Sequence, residues 1–188
     1  MRIPPLLPLP PRLPGRNNME NYKWLRYFAY TLEFLAIFMI QETPGLVPAV
    51  FGARPVLLIP AAVSVALFEN ERASLFFGLF AGLLTDFGMG QTLGFHALLL
   101  ILSCYFLAML AANLIRTNFL TAMIAIVLIA GGILLLQWIF FYLMSSYGEP
   151  FYVLSAHYLP RYLYTVAVMP ILYYFNRALA IQIRAKEE

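Results

Sequence analysis

Two long uncharged runs constrain the fold of this chain more than any other feature. Phe87 and Arg116 enclose the first run, and Arg116 and Glu149 enclose the second. Each run is longer than the ~20 residues with which a helix crosses a hydrocarbon core of ~30 Å. Only 11% of the chain is charged, whereas about a quarter of a soluble domain is charged. The sequence therefore predicts an all-α integral membrane protein, since barrel strands would alternate polar and apolar residues.

The apolar segments and their breaks predict six transmembrane helices. The charged turn at residues 69–72 should reach water, because each charge buried at the bilayer centre costs ~2.5 to 3.5 kcal/mol. Residues 145–161 are predicted to form an exposed loop whose aromatic side chains suit the membrane interface. Pro170 is expected to kink the last helix. The predicted helices cover about residues 23–41, 55–68, 73–87, 93–114, 119–143 and 162–180.

The two ends of the chain are predicted to lie in the cytoplasm. Residues 1–22 contain six prolines, which favours a disordered, extended tail ahead of a membrane domain at 23–188. Its P-x-x-P spacings could also bind a proline-recognising domain. Six crossings place both ends on one side, which then carries ten of the 12 Lys and Arg residues. Arg54 and Arg161 fall on the other side, and basic loops stay cytoplasmic.

A cluster of glycines surrounds one carboxylate in the predicted third helix and the turn after it. Gly78 and Gly82 lie one turn apart on one face, where a neighbouring helix can approach closely. Gly88 and Gly90 are expected to end the helix, because glycine tolerates positive φ. Asp86 at this break is a functional-site hypothesis, or else a cap on the next helix. The interface or structural candidates are Gly78, Gly82, Asp86, Gly88, Gly90 and Gly94.

Two further polar residues are candidates within the membrane. His96, in the first turn of the predicted fourth helix, could hydrogen-bond Asp86 or could lie at the wet interface without a special role. Glu33 lies ~15 Å beyond Lys23 along the first helix at 1.5 Å per residue. Arg26 is on the same face and could reach between Glu33 and the cytoplasmic water. Glu33 either faces another helix or a partner subunit, or is paired internally.

The sequence contains no recognisable catalytic or metal-binding pattern. His96 and His157 are separated by more than a helix, and no Cys or paired carboxylate stands at ligand spacing to either. The G-x-S-x-G, H-E-x-x-H and phosphate-binding G-x-x-x-x-G-K motifs are missing. We therefore expect no catalytic residue, no metal and no cofactor, and a protein that is not an enzyme.

Residues 54–107 contain a motif that identifies a known family. The motif comprises Arg54-Pro55, the charged turn, Gly78-x-x-x-Gly82-Leu83-Leu84-x-Asp86, Gly90, Leu93-Gly94-x-x-Ala97-Leu98 and Tyr105-Phe106-Leu107. With this motif the chain resembles MreD, the rod shape-determining membrane protein family of bacteria, over about residues 23–183. Length, six-helix hydropathy and cytoplasmic termini agree with that family.

The resemblance implies a non-enzymatic scaffold of the elongation complex in the bacterial cytoplasmic membrane. Its expected direct partner is MreC, and MreB, RodZ, RodA and the penicillin-binding transpeptidase of RodA belong to the same complex. On this interpretation the glycine face and Asp86 support a surface that binds the transmembrane or juxtamembrane part of MreC. The resemblance implies no cofactor. The net charge of +3 does not indicate a nucleic-acid partner, because the basic residues flank membrane segments.

The MreD family is also similar in fold to the S component of energy-coupling factor transporters, with six helices around a possible central pocket. This similarity implies an alternative function in small-molecule binding or transport. Asp86, His96 and Glu33 would then line the pocket, and residues 145–161 would be its lid. S components commonly carry Ala-x-x-x-Ala in their first helix, whereas here Glu33 follows Ala29 by four residues.

Overall fold

The computed structural model describes residues 16–49, 52–90, 93–114, 117–143 and 150–184, and these residues form an all-helical bundle without strands. Short π-helical turns at Ile139–Leu143 and Leu154–Tyr158 extend α5 and join α6 to α7. The predicted all-α class is confirmed. The helices are α1 Arg16–Glu42, α2 Leu58–Phe68, α3 Glu71–Met89, α4 Phe95–Asn113, α5 Phe119–Trp138, α6 Pro150–Val153 and α7 Leu159–Arg184.

Helix α2 fills the centre of the bundle. It packs against α1, α3, α4, α5 and α7, and every residue from Leu58 to Leu67 is buried. With 11 residues it is ~16 Å long at 1.5 Å per residue, about half of a ~30 Å hydrocarbon core. The sequence predicted a short second helix, and its near-continuous apolar composition reflects contact with other helices on all sides.

Helix α1 begins earlier than the sequence analysis predicted. Its first residue is Arg16, so residues 16–22 belong to the helix and not to the extended tail. No proline follows Pro14 until Pro44, and the chain can therefore be helical from this point. The rest of the predicted tail, residues 1–15, lies outside the described residues.

The prediction of an exposed loop at residues 145–161 is wrong from Pro150 onward. There the chain is helical through α6, a π turn and the start of α7. Pro150 is the first residue of α6, where the missing N–H has no helical acceptor to lose. Tyr152 is exposed, but Tyr158 packs with α5. Residues 145–149 lie outside the described residues.

The bundle exposes apolar side chains and buries polar ones. Helices α4 and α5 are long and apolar enough to cross a membrane, and large side chains such as Trp24, Phe28 and Leu128 are exposed on the surface. Water-soluble domains seldom bury charged residues, whereas intramembrane polar residues face the bundle interior. The buried polar residues are Arg26, Glu33, Ser64, Glu69, Ser74, Thr85, Asp86, His96, Gln137, Thr165 and Asn176.

Candidate functional site

The glycine face of α3 packs directly on the backbone of α4. A Cβ atom on Gly78 would lie 2.9 Å from the carbonyl oxygen of Leu100. A Cβ atom on Gly82 would lie 2.7 Å from the amide nitrogen of Ala97 and 2.8 Å from the carbonyl oxygen of His96. No side chain fits at these distances. The helix that approaches this face is therefore α4 of the same chain, and α4 covers Gly78 and Gly82.

Asp86 binds the amino end of α4. Its Oδ2 accepts hydrogen bonds from the Gly94 amide at 2.8 Å and the Ala97 amide at 3.2 Å. Its Oδ1 accepts the His96 amide at 3.0 Å and lies 2.8 Å from His96 Nδ1. The N-cap residue of α4 is Gly94, which has no side chain to accept these donors. Asp86 supplies that acceptor from the preceding helix, where its negative charge also suits the helix dipole.

His96 pairs with Asp86 and is not a histidine at the wet interface. Both side chains are 1% exposed. The two interpretations of Asp86, a helix cap and a partner for His96, therefore describe one arrangement. We call Asp86, His96 and the amino end of α4 the Asp86 clamp.

Gly90 and Gly94 shape the turn between α3 and α4. Gly90 has φ +59° and follows the last residue of α3, with its amide bonded to the Asp86 carbonyl at 3.2 Å. Gly94 has φ +100°. Both values favour glycine. Gly88 does not end the helix: it lies inside α3, where the Glu42 carboxylate lies against it in the space that a Cβ atom would need.

Glu33 is paired inside the bundle. Asn176 Nδ2 lies 2.8 Å from Glu33 Oε1 and 2.6 Å from Ser64 Oγ, and it donates to both. These three side chains join α1, α2 and α7, and all are buried. The structure thus supports the internal pairing of Glu33 and places it apart from the Asp86 clamp, with different partners.

The structure gives Arg26 a partner other than Glu33. Arg26 pairs instead with Glu69, with 2.7 Å between Nε and Oε1, and the Tyr30 hydroxyl donates to the same carboxylate at 3.3 Å. Glu69 is only 7% exposed, so the charged turn does not carry this residue into water. The ion pair offsets the desolvation that the prediction treated as prohibitive. Arg72 of the same turn is exposed.

The described residues contain no metal-binding cluster. No group of three or more His, Cys, Asp or Glu residues within them could hold a metal ion. Asp86 is bonded to backbone amides, Glu69 to Arg26 and Glu33 to Asn176. These carboxylates hold helices together.

A comparison with protein-family models identifies the chain. The model described as rod shape-determining protein MreD matches residues 21–182, which is most of the chain. The chain belongs to the MreD family. The resemblance proposed from residues 54–107 is confirmed, and the protein has a role in rod shape determination. A search of the curated proteins found no match, and a search of the solved structures found none.

The apolar composition of the helices agrees with membership in the MreD family. The structure also shows which contacts the residues of the family motif make. MreD is a family of membrane proteins that is not known for catalysis. Among the residues that carried the resemblance, Gly78 and Gly82 build the contact between α3 and α4, and Asp86 and Gly94 belong to the Asp86 clamp. In this MreD protein the motif therefore serves the fold.

The sequence analysis missed three polar residues that join distant helices. Ser64 and Asn176 complete the Glu33 cluster, and Thr165 Oγ1 accepts the Val56 amide at 3.1 Å. The available signal was a polar residue among apolar neighbours, Ser64 in α2 and both Thr165 and Asn176 in α7. Their partners lie more than 100 positions away in sequence, and no local pattern indicates which residues meet.

Proposed function

We propose that this MreD protein is a non-enzymatic scaffold of the elongation complex. It crosses the cytoplasmic membrane six times, with both termini in the cytoplasm. The crossings are α1, residues 55–68, which include the short α2, and then α3, α4, α5 and α7. The protein links MreC and the peptidoglycan synthases, RodA and its penicillin-binding transpeptidase, to the MreB cytoskeleton and RodZ. Family membership and the distribution of Lys and Arg residues support this proposal.

The observation that carries the proposal is an open, aromatic-lined groove between α1 and α3. The groove has a volume of about 510 Å³. Phe28 is 67% exposed at its rim and Phe76 is 61% exposed. Tyr27 and Phe77 meet edge to face beneath them, with their ring centroids 5.8 Å apart. Lipid tails are as apolar as the surface of a transmembrane helix, so the hydrophobic effect does not drive helices together in a membrane. Docking there depends instead on a close fit of shape, which a groove of this kind can provide.

A transmembrane helix of MreC is the proposed occupant of this groove. The groove runs along two helices and ends at Arg72, which the proposed topology places at the cytoplasmic surface. A single helix entering the membrane could thus contact the aromatic residues and place its juxtamembrane part beside Arg72. This site replaces the glycine face as the candidate MreC surface, since α4 covers that face.

Co-purification of MreC tests the groove. Phe28→Ala and Phe76→Ala together should lower MreC recovery about tenfold, because they remove the two large exposed side chains that an occupant of the groove would contact. Phe106→Ala is the matched control, since this ring is 51% exposed on α4, outside the groove. Equal recovery of MreC with the double variant and the control would exclude this groove as the docking site.

The carrier alternative requires one pocket lined by Asp86, His96 and Glu33. Asp86 and His96 lie together at the α3–α4 turn, whereas Glu33 binds Asn176 and Ser64. Helix α2 occupies the centre of the bundle. These positions favour the scaffold over the carrier.

A further inference from the structure

A second pocket lies at the end of the bundle away from the Arg26–Glu69 pair. Its volume is about 260 Å³. It forms where the ends of α1 and α3 meet the start of α7 and the segment before α2. We call it the end pocket. The residues that matter here are Gln41, Glu42, Arg54, Gly88, Met89 and Arg161.

Arg161 brings a poorly compensated cation to the end pocket. Its Nε is buried and has no hydrogen-bond partner. Its Nη2 lies 3.5 Å from the sulfur of Met89, and a thioether is a weak acceptor. Within the described parts of the chain, no carboxylate forms an ion pair with Arg161 or with the exposed Arg54. A guanidinium taken out of water needs an anion to offset its desolvation.

The end pocket also contains one negative group. The Glu42 carboxylate lies against Gly88, and the polar partner that the structure gives it is Gln41 Nε2 at 3.4 Å. Gln41 is itself held in place, since its Oε1 accepts the Leu57 amide at 2.9 Å. The pocket therefore offers two guanidinium groups and one carboxylate. This charge pattern complements a ligand that carries both a phosphate and a primary amine.

We propose that the end pocket binds the head group of a phosphatidylethanolamine lipid, with its phosphate on Arg161 and Arg54 and its ammonium on Glu42. Guanidinium groups bind phosphate through paired, charge-assisted hydrogen bonds. The exposed apolar residues Met39 and Phe87 stand near the pocket-lining positions 41 and 88. The acyl chains can descend over them along α1 and α3.

The position of the end pocket suits a lipid head group in either membrane orientation. Arg26 lies near one end of α1 and Gln41 near the other, ~22 Å apart at 1.5 Å per residue. The pocket is therefore at one membrane surface, where lipid phosphates lie. A carboxylate from a partner protein could pair with the arginines but would leave Glu42 without a cation. The inference rests on the proposed function only in placing the protein in a bilayer.

Native mass spectrometry of the full-length protein tests the proposal. The probes are phosphatidylethanolamine, phosphatidylglycerol and phosphatidylcholine with identical acyl chains. We expect phosphatidylethanolamine to bind most tightly, because phosphatidylglycerol has no amine and the methyl groups of choline prevent hydrogen bonds to Glu42. Equal retention of all three lipids would overturn the proposal. Displacement of the lipid by an equal concentration of free phosphoethanolamine would also overturn it, because the site would then bind a soluble ligand.

Three substitutions separate the roles of the charges. Arg161→Gln and Arg54→Gln should each weaken phosphatidylethanolamine binding about tenfold or more, since each removes a charge-assisted hydrogen bond. Glu42→Gln should weaken phosphatidylethanolamine binding about as much and leave phosphatidylglycerol unchanged or tighter. Arg177→Gln is the matched control, because Arg177 is exposed near the other end of α7. Arg54 and Glu42 are exposed, so their variants carry the test if Arg161→Gln does not fold.

The variant results also distinguish a lipid site from a protein contact. Unchanged lipid binding in Arg54→Gln and Glu42→Gln would overturn the proposal. If Arg54→Gln lowered MreC recovery while lipid binding stayed the same, the end pocket would be a protein contact. The test of the MreC groove uses Phe28 and Phe76, which do not line the end pocket. Failure of one proposal therefore does not imply failure of the other.

Discussion

Helix α3 makes two very different contacts with its neighbours. Against α4 it presents Gly78 and Gly82, and the two backbones touch. Against α1 it presents Phe76 and Phe77, and an open groove remains between the helices. The small residues allow a backbone contact between two helices of the same chain, whereas the large aromatic residues leave an open groove. The sequence motif thus marks a closed contact, and the groove that we propose as the MreC surface lies beside it.

The largest expected effect comes from filling the closed contact. Gly82→Leu should abolish stable folding, because its side chain would overlap the backbone of Ala97 and His96, and overpacking against backbone costs more than the usual 1 to 3 kcal/mol or so. Fluorescence-detected size-exclusion chromatography of the detergent-solubilised protein measures the folded fraction.

Gly132→Leu is the matched control for this substitution. Gly132 is an exposed glycine on α5, and a Cβ atom there would meet nothing within 4 Å. It should give a folded fraction near that of the parent protein. If both variants eluted as the parent does, α3 and α4 would not be in backbone contact.

Loss of the Asp86 clamp is expected to have the next largest effect. Asp86→Ala removes the acceptor of three amides and the partner of His96, at a cost of about 3 kcal/mol. The amides of Gly94, His96 and Ala97 should exchange with deuterium much faster. Asp86→Asn keeps one acceptor oxygen, so its amide exchange rates should lie between those of the parent protein and those of Asp86→Ala. Unchanged exchange at these amides in Asp86→Ala would show that the clamp does not hold α4.

The sequence was sufficient to predict the helical class, the approximate helices and the glycine contact, because each rests on local composition or spacing. It gave the pairing of His96 with Asp86 as one of two interpretations, since only a short turn separates them. It did not identify the partner of Arg26, which is Glu69, 43 residues away, or the internal partner of Glu33, which is Asn176, 143 residues away. Such pairs depend on how the helices are arranged around α2, which hydropathy does not encode.

The Glu33 cluster should contribute less than the clamp. Asn176→Ala removes one donor that serves both Glu33 and Ser64, and the expected loss is about 2 kcal/mol because a buried carboxyl group then loses its hydrogen bond. The thermal midpoint in detergent measures the change. Asn113→Ala is the control, since Asn113 is exposed at the end of α4. An equal midpoint for both variants would assign Glu33 no structural role and reopen its interpretation as a contact to a partner subunit.

Substitutions in the open groove should have the smallest effect on folding and the largest effect on the contact with MreC. Cys104 is the one cysteine of the chain and is buried, so Phe28→Cys adds a single accessible thiol. Stability should change by less than about 0.5 kcal/mol, as is usual for an exposed position.

Disulfide cross-linking tests the contact with MreC. In membranes that contain MreC with one cysteine scanned along its transmembrane helix, the Phe28→Cys variant should form a disulfide at positions one helical turn apart. Phe106→Cys, on the exposed face of α4, should form none. Cross-links of equal yield from both positions would mean that MreC meets this protein by random collision, and the contrast between the closed and open faces of α3 would then carry no functional meaning.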